Sequence, residues 1–244
     1  MSGQDRASDE SEHTERIRRL FTGIADRYDS INRQQSLRRD VAWRRFTARK
    51  MRFFNTMRYL DVASGTADLA LDTLRLHPGV SAVGVDIAEE LLGIGRRKAR
   101  EMGLSERLDL RQGNALDLGF PDRSFDVAGI AFGIRNIMDR LQALREMRRV
   151  VVPGGQVMVL ELSYHGTGLI KPFYCLYLKA VIPFMARLVA RDPGAYQYLG
   201  RSIIDFPAPE DFCSLMREAG LEDVKSWPLT LGVARLFTGK RPLS

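Results

Sequence analysis

Four places along the chain join a short apolar run to residues able to bind or activate a ligand. The run YLDVA at 59–63 contains Asp61 and opens the loop ASGTAD, which holds Gly65 and Thr66. The run VSAVGVD at 80–86 ends on Asp86, with Ile87 next in line. RLDLRQG at 107–113 leads into Asn114 and Ala115, and FDVAGIAFG at 125–133 passes Ala131 and leads into Arg135 and Asn136. An acid 21 residues beyond a glycine loop is placed to accept hydrogen bonds from both hydroxyls of a ribose. Dinucleotide sites carry G-x-G-x-x-G in that first loop, because a pyrophosphate needs close backbone approach and a bare helix N-terminus. Here only Gly65 remains, with Ala67 and Leu69 nearby, so the pattern predicts a nucleoside ligand without a pyrophosphate. S-adenosylmethionine answers that description, with Asn114 and Ala115 bordering its adenine. Taken singly these features have plainer readings, a turn for Gly65 and a helix N-cap for Asp86; together, at three successive strand ends, they make a site.

The elements that must position these residues follow from periodicity. From residue 58 the apolar runs at 59–63, 80–86, 107–113, 125–133 and 156–163 alternate with helical patterns at 67–76, 89–102 and 139–150. That alternation implies right-handed crossovers and a doubly wound, mostly parallel α/β sheet with helices on both faces. A helical run at 208–219 and two final runs, EDVKSWPL and GVARLFTG, are close enough in sequence to form antiparallel neighbours. Residues 164–207, with five tyrosines and three phenylalanines broken by prolines, read as a helical cap inserted in the domain. Its apolar stretch is interrupted by Lys171, Pro172, Lys179 and Pro183 and fails as a membrane-spanning helix. Ahead of the domain, at 58–244, residues 17–57 read as helices and residues 1–16, MSGQDRASDESEHTER, as a disordered tail.

With 244 residues, 45% of them hydrophobic, the chain can bury a sizeable core. Two distant cysteines and three scattered histidines predict neither a disulfide framework nor a metal site, and a cytoplasmic, reducing setting. The net charge of +7 is concentrated: between Arg33 and Arg58 nine basic residues face one acid, Asp40. Interleaved with Trp43, Phe46, Phe53 and Phe54, they suit a helix on an anionic membrane surface or against phosphates; a solvated face over an apolar side is an equal alternative.

In order along the chain, FTGIADRYDSIN with the downstream WRR, LDVASGTADLA, GVDIAEELL, GNALDLGFPDRSFD, FGIRN, ALREMRRVVVPGGQVMVLELS and RDPGAYQYLGRSI resemble the menaquinone and ubiquinone biosynthesis C-methyltransferase family. The resemblance runs from about residue 20 to the C-terminus and implies a class I methyltransferase fold. It also implies C-methylation of a polyprenylated quinol, typically demethylmenaquinol to menaquinol, with the benzoquinol of ubiquinone synthesis as the alternative substrate. Thr66, Asp86, Asn114 and Ala115 match the family's cofactor positions. Two positions depart: Ala67 stands where glycine is common, and Ala131 where many members carry serine.

Methylating an aromatic carbon requires the neighbouring hydroxyl to lose its proton, so that charge reaches the ring carbon. Arg135 is the expected stabiliser of that oxyanion and Asn136 its orienting partner, with Gly133 turning the chain off the strand. Alternatively Arg135 pairs with an acid such as Asp139 or Asp29 and ties the loop down. Tyr28 and Asp29 are expected over the cofactor, Asp29 as a candidate base, with Tyr196 and Tyr198 beside the quinol ring. The expected partners are the quinol and, peripherally, the anionic inner face of the cytoplasmic membrane; a homodimer is left open. No N-P-P-Y-type tetrad or added recognition domain supports a nucleic-acid substrate, and a non-catalytic S-adenosylmethionine-binding scaffold is the rival from outside the enzymes.

Overall fold

The computed structural model describes residues 3–25, 29, 33, 36, 38–163 and 200–243. Among the described residues, helices α1 (Gly3–Ile24) and α2 (Arg39–Lys50) lead in. The domain proper then runs β1 (Arg58–Val62), α3 (Asp68–Leu76), β2 (Ser81–Asp86), α4 (Glu89–Glu101), β3 (Leu108–Gln112), β4 (Phe125–Ala131), α5 (Arg140–Val150), β5 (Val151–Leu162), α6 (Pro209–Glu218), β6 (Glu222–Leu229) and β7 (Ala234–Lys240). The seven strands lie in the order β3-β2-β1-β4-β5-β7-β6, and β7 is antiparallel to both of its neighbours. Strand order reverses between β1 and β4, and the crevice beyond their carboxyl ends is where such sheets bind ligands.

Both faces of the sheet are covered, which is why the central strands are near-continuous apolar runs rather than alternating ones. On one face Leu60, Val62 and Ile130 meet Leu144 and Met147 of α5 and Phe212 and Met216 of α6. On the other, Tyr59, Val127 and Met158 meet Trp43 of α2, Leu71 and Leu74 of α3, and Leu92 of α4. Tyr59 fits because Gly129 lies beside it: a Cβ there would come within 2.6 Å of the tyrosine hydroxyl. Residues 164–199, most of the expected cap and with it Tyr196 and Tyr198, fall outside the described residues; of the remainder, Phe206 packs against Phe212 and Phe237 in the core.

The N-terminal segment differs from expectation. Residues 3–16 belong to α1 rather than to a disordered tail. The helix runs on into the stretch expected to be helical, where Ile17 is buried and Phe21 packs with Ala88, Leu91 and Ile94 around α4. Thr22 donates to Glu90 at 2.8 Å, and Glu15 accepts from Arg18 and Arg19 along the helix. The basic helix α2 also departs from a simple amphipathic pattern. Arg44 points inward, 6% exposed, and bridges Asp40 at 2.9 Å and Asp68 at 3.0 Å. Arg39, Arg45, Arg49 and Arg52 remain exposed, as does Phe54.

Beneath the sheet, at the opposite edge from the crevice, the fully buried Asp126 captures the loop that enters β1. Its carboxylate accepts the backbone N–H groups of Phe54, Asn55, Thr56 and Met57, the last at 2.7 Å. Removing the acceptor would take the partner from these four part-buried N–H groups, each lost bond costing about 0.5–1.5 kcal/mol. Asp126→Ala is therefore expected to lower the unfolding free energy by about 3 kcal/mol or more in urea titrations, and Asp126→Asn, which keeps one acceptor oxygen, by less.

Candidate active site

Each strand that ends at the crevice delivers a buried carboxylate or a tight loop. Asp86, at the end of β2, accepts from the N–H of Gly65 at 2.8 Å through one oxygen and from that of Ala88 at 2.9 Å through the other. Burial pushes its carboxyl above the ordinary value, against those two hydrogen bonds. Each oxygen keeps a lone pair, and Asp86 faces a cleft. That cleft is lined by Gly65, Asp86, Ile87, Asn114, Ala115 and Asn136 from the strand ends, by the apolar side chains of Leu91, Leu116 and Ile137, and by Glu10, His13, Thr14, Ile17 and Phe21 of α1.

A second cavity adjoins the first, sharing Ala63 and Phe132, and is lined by Asp29, Arg44, Asp61, Thr66, Asp68 and Ala131. Asp61 accepts from the Tyr59 hydroxyl at 2.9 Å and from Ala70 N–H at 3.1 Å. Burial nevertheless pushes its carboxyl up to about 7. Asp29 stands at the rim, taking Thr66 Oγ1 at 2.7 Å and Lys98 Nζ at 2.5 Å. Lys98 also donates to Asp68 at 2.7 Å and to Thr66 at 2.9 Å. Tyr28 lies outside the described residues.

The FGIRN loop resolves differently from expectation. Gly133 has an ordinary backbone conformation, φ −110°. Its missing side chain matters for space, because a Cβ would come within 2.8 Å of the Ala63 Cβ where the two loops cross. The turn off β4 is made instead by Phe132, held at φ 59°. Arg135 pairs with neither Asp139 nor Asp29. Its Nη1 donates to Glu161, at the end of β5, and to the carbonyl of Phe132, both at 2.6 Å. Arg135 lines neither cavity, whereas its neighbour Asn136 lines the first.

Glu161, Lys98, Arg44 and the α1 residues escape the sequence reading. Glu161 does leave a signal, a lone acid in the apolar run VMVLELS. Lys98 sits among four other charges in RRKARE and leaves none.

The residues present fit an adenosyl donor. The buried Asp86 carboxylate retains acceptor capacity for vicinal hydroxyls, and Ile87, Leu91 and Leu116 give a flat base apolar walls. The second cavity presents the carboxyl groups of Asp29, Asp61 and Asp68, which can face a cationic sulfonium and ammonium. Fold and cleft together define a class I S-adenosylmethionine-dependent methyltransferase. A solved structure titled an S-adenosylmethionine-dependent methyltransferase, a possible histamine N-methyltransferase from Thermotoga maritima, superposes with a TM-score of 0.63 at 18% identity, covering 92% of this chain and 99% of its own.

The chain belongs to the ubiE/COQ5 methyltransferase family, whose model matches residues 9–241. It is 40% identical over 232 residues to the ubiquinone/menaquinone biosynthesis C-methyltransferase UbiE of a Geobacter species, covering 95% of this chain and 98% of the relative. It is 42% identical over 223 residues to the demethylmenaquinone methyltransferase of Thermus thermophilus, covering 91% and 100%.

The raised Asp61 carboxyl makes stability depend on pH. The folded state binds this proton more tightly than the unfolded chain does, so its contribution is full below the ordinary value of 3.8 and is lost as pH rises towards about 7. Urea unfolding of the ligand-free protein between pH 4.5 and 7.5 should show wild type losing stability relative to Asp61→Asn, by up to about 1.4 kcal/mol per pH unit.

Proposed function

We propose that this enzyme methylates a ring carbon of a polyprenylated quinol, converting demethylmenaquinol to menaquinol. The observation that carries the reading is the pair of adjoining cavities at the β1/β4 switch point, one with Asp86 for a ribose and the other with Asp61 for a cation. The names of the relatives supply the substrate class. Bound S-adenosylmethionine supplies an electrophilic methyl group on a sulfonium.

The chain's own contribution is placement and polarity. Asp86 and the amides it anchors fix the adenosyl end, and Asp61, Thr66 and Ala131 border the opposite end. Holding two reactants in attacking geometry lowers the barrier by up to about 7–11 kcal/mol. Asn136, in the first cavity, orients the quinol hydroxyl whose deprotonation raises electron density at the ring carbon. Arg135 acts behind it as a positioning residue: through Glu161 and the Phe132 carbonyl it fixes the turn that presents Asn136. Phe132, shared by both cavities, keeps water from the transferring methyl group.

Incubation of the pure enzyme with labelled S-adenosylmethionine and a panel of reduced naphthoquinols and benzoquinols tests this directly. Mass analysis should find one added methyl on the ring carbon of demethylmenaquinol. Methylation of the benzoquinols alone would move the enzyme to the ubiquinone branch, and no methylated quinol at all would leave only a binding protein.

A prenylated substrate dissolved in a bilayer favours an enzyme that docks there. Among the described residues no helix is long and apolar enough to cross a membrane. Exposed Arg39, Arg45, Arg49 and Arg52, close to an exposed Phe54, instead fit electrostatic and shallow apolar attachment at an anionic surface. Vesicle co-sedimentation is expected to rise with anionic lipid content and to fall with added salt; equal binding to neutral vesicles would count against the attachment.

A further inference from the structure

The residues that close the first cavity from outside the sheet come from α1, and one of them is chemically incomplete. Glu10, His13, Thr14, Ile17 and Phe21 recur every three or four residues, so a single helix face looks into the cleft. His13 anchors that face. Its Nδ1 lies 3.3 Å from an Arg16 guanidinium nitrogen, which can only donate. The other ring nitrogen, Nε2, is therefore the one that carries hydrogen, donating to the carbonyl of Asn136 at 3.0 Å. One turn earlier, Glu10 Oε1 is enclosed and has no hydrogen-bond partner. An enclosed carboxylate oxygen without a donor is unfavourable, and the cavity is where a donor would arrive.

On the reading of this cleft as an S-adenosylmethionine site, we propose that Glu10 accepts the exocyclic 6-amino group of the adenine, making the N-terminal helix a specificity-determining wall of the donor site. The assignment follows from the donors an adenosyl compound carries. Its ribose hydroxyls face Asp86, and its ammonium belongs with Asp61 in the second cavity. The 6-amino group is the donor left over, and Asn114 and Ala115, which border the base, share the first cavity with Glu10. The 6-oxo analogue presents an acceptor at that position and would face the carboxylate with like polarity.

Calorimetry on the full chain with S-adenosylhomocysteine and S-inosylhomocysteine tests the assignment without turnover. Wild type should bind the adenosyl compound at least tenfold more tightly than the inosyl compound. Glu10→Gln, whose amide can accept or donate, should shrink that preference to within about threefold. Glu10→Ala should weaken the adenosyl compound about tenfold and leave the inosyl compound bound as tightly as in wild type or more tightly, with circular dichroism confirming that helix content is retained. Undiminished discrimination in both Glu10 variants, or none in wild type, overturns the assignment. Asp86→Ala separates the two levels: if it abolishes adenosyl binding while the Glu10 variants still discriminate, the donor site stands and Glu10 has no part in it. If wild type binds neither compound, the donor site itself falls and takes Glu10 with it.

Discussion

A carboxylate buried at the end of a parallel strand has no water to turn to, so the loops beyond must bring it N–H donors. Asp61, Asp86 and Glu161 impose that constraint on three strands, at 1%, 9% and 0% exposure. Asp61 draws in the N–H of Ala70 in α3, and Asp86 those of Gly65 and Ala88. Glu161 draws in those of Arg135 and Leu162. Two of these bonds, from Gly65 to Asp86 and from Arg135 to Glu161, pin a loop of the crevice to the end of a neighbouring strand. The cleft is therefore shaped by what the sheet needs in order to bury acids, before any ligand is considered. An unpaired buried charge would be costly, while a hydrogen-bonded one fixes geometry.

That fixed geometry supports strain. Ala63, Ala67 and Phe132 all hold positive φ, where a side chain costs roughly 1–3 kcal/mol. Phe132 is held on both sides, its N–H donating to Leu160 O at 2.8 Å and its carbonyl taking Arg135 Nη1. The arginine that looks like a catalytic cation in FGIRN thus works on the backbone first. Ala67 occupies a left-handed position at the start of α3, and its methyl lies 3.1 Å from where a Cβ on Gly95 would be. The alanine at this position is accommodated by a glycine on α4.

The parallel sheet and the strand-end residues were legible because they rest on periodicity and on short spacings within one βα unit. Gly65, Asp86, Asn114 and Ala115 lie at or just beyond the strand ends where alternation placed them, and they line the cleft. Direction was harder to read. Whether Arg135 points into the cleft or under the loop depends on Glu161, 26 residues away on another strand, and no local pattern encodes that pairing. The same limit hid Arg44, whose acids lie partly on α3, and Lys98, whose partners come from three segments. Only the stretch of the N-terminal helix before residue 17 was missed, for the opposite reason. Its composition is that of a solvated tail, yet it continues a helix whose Ile17 and Phe21 dock against the domain.

The attachment of α1 bears on how the donor site works. Its contacts with the domain include a small apolar cluster with α4, one hydrogen bond from Thr22 and one from His13, and its ion pairs along the helix are partly or largely exposed. Exposed pairs of this kind contribute little, about 0–1 kcal/mol each. A surface helix of that kind opens at a lower free energy than the core strands. If Glu10 gains a donor only when an adenosyl group is present, ligand and helix stabilise each other by the same amount, since the coupling is reciprocal. The wall that closes the cleft would then be strongest when there is something to enclose, while the carboxylate-anchored loops beneath it keep their form either way.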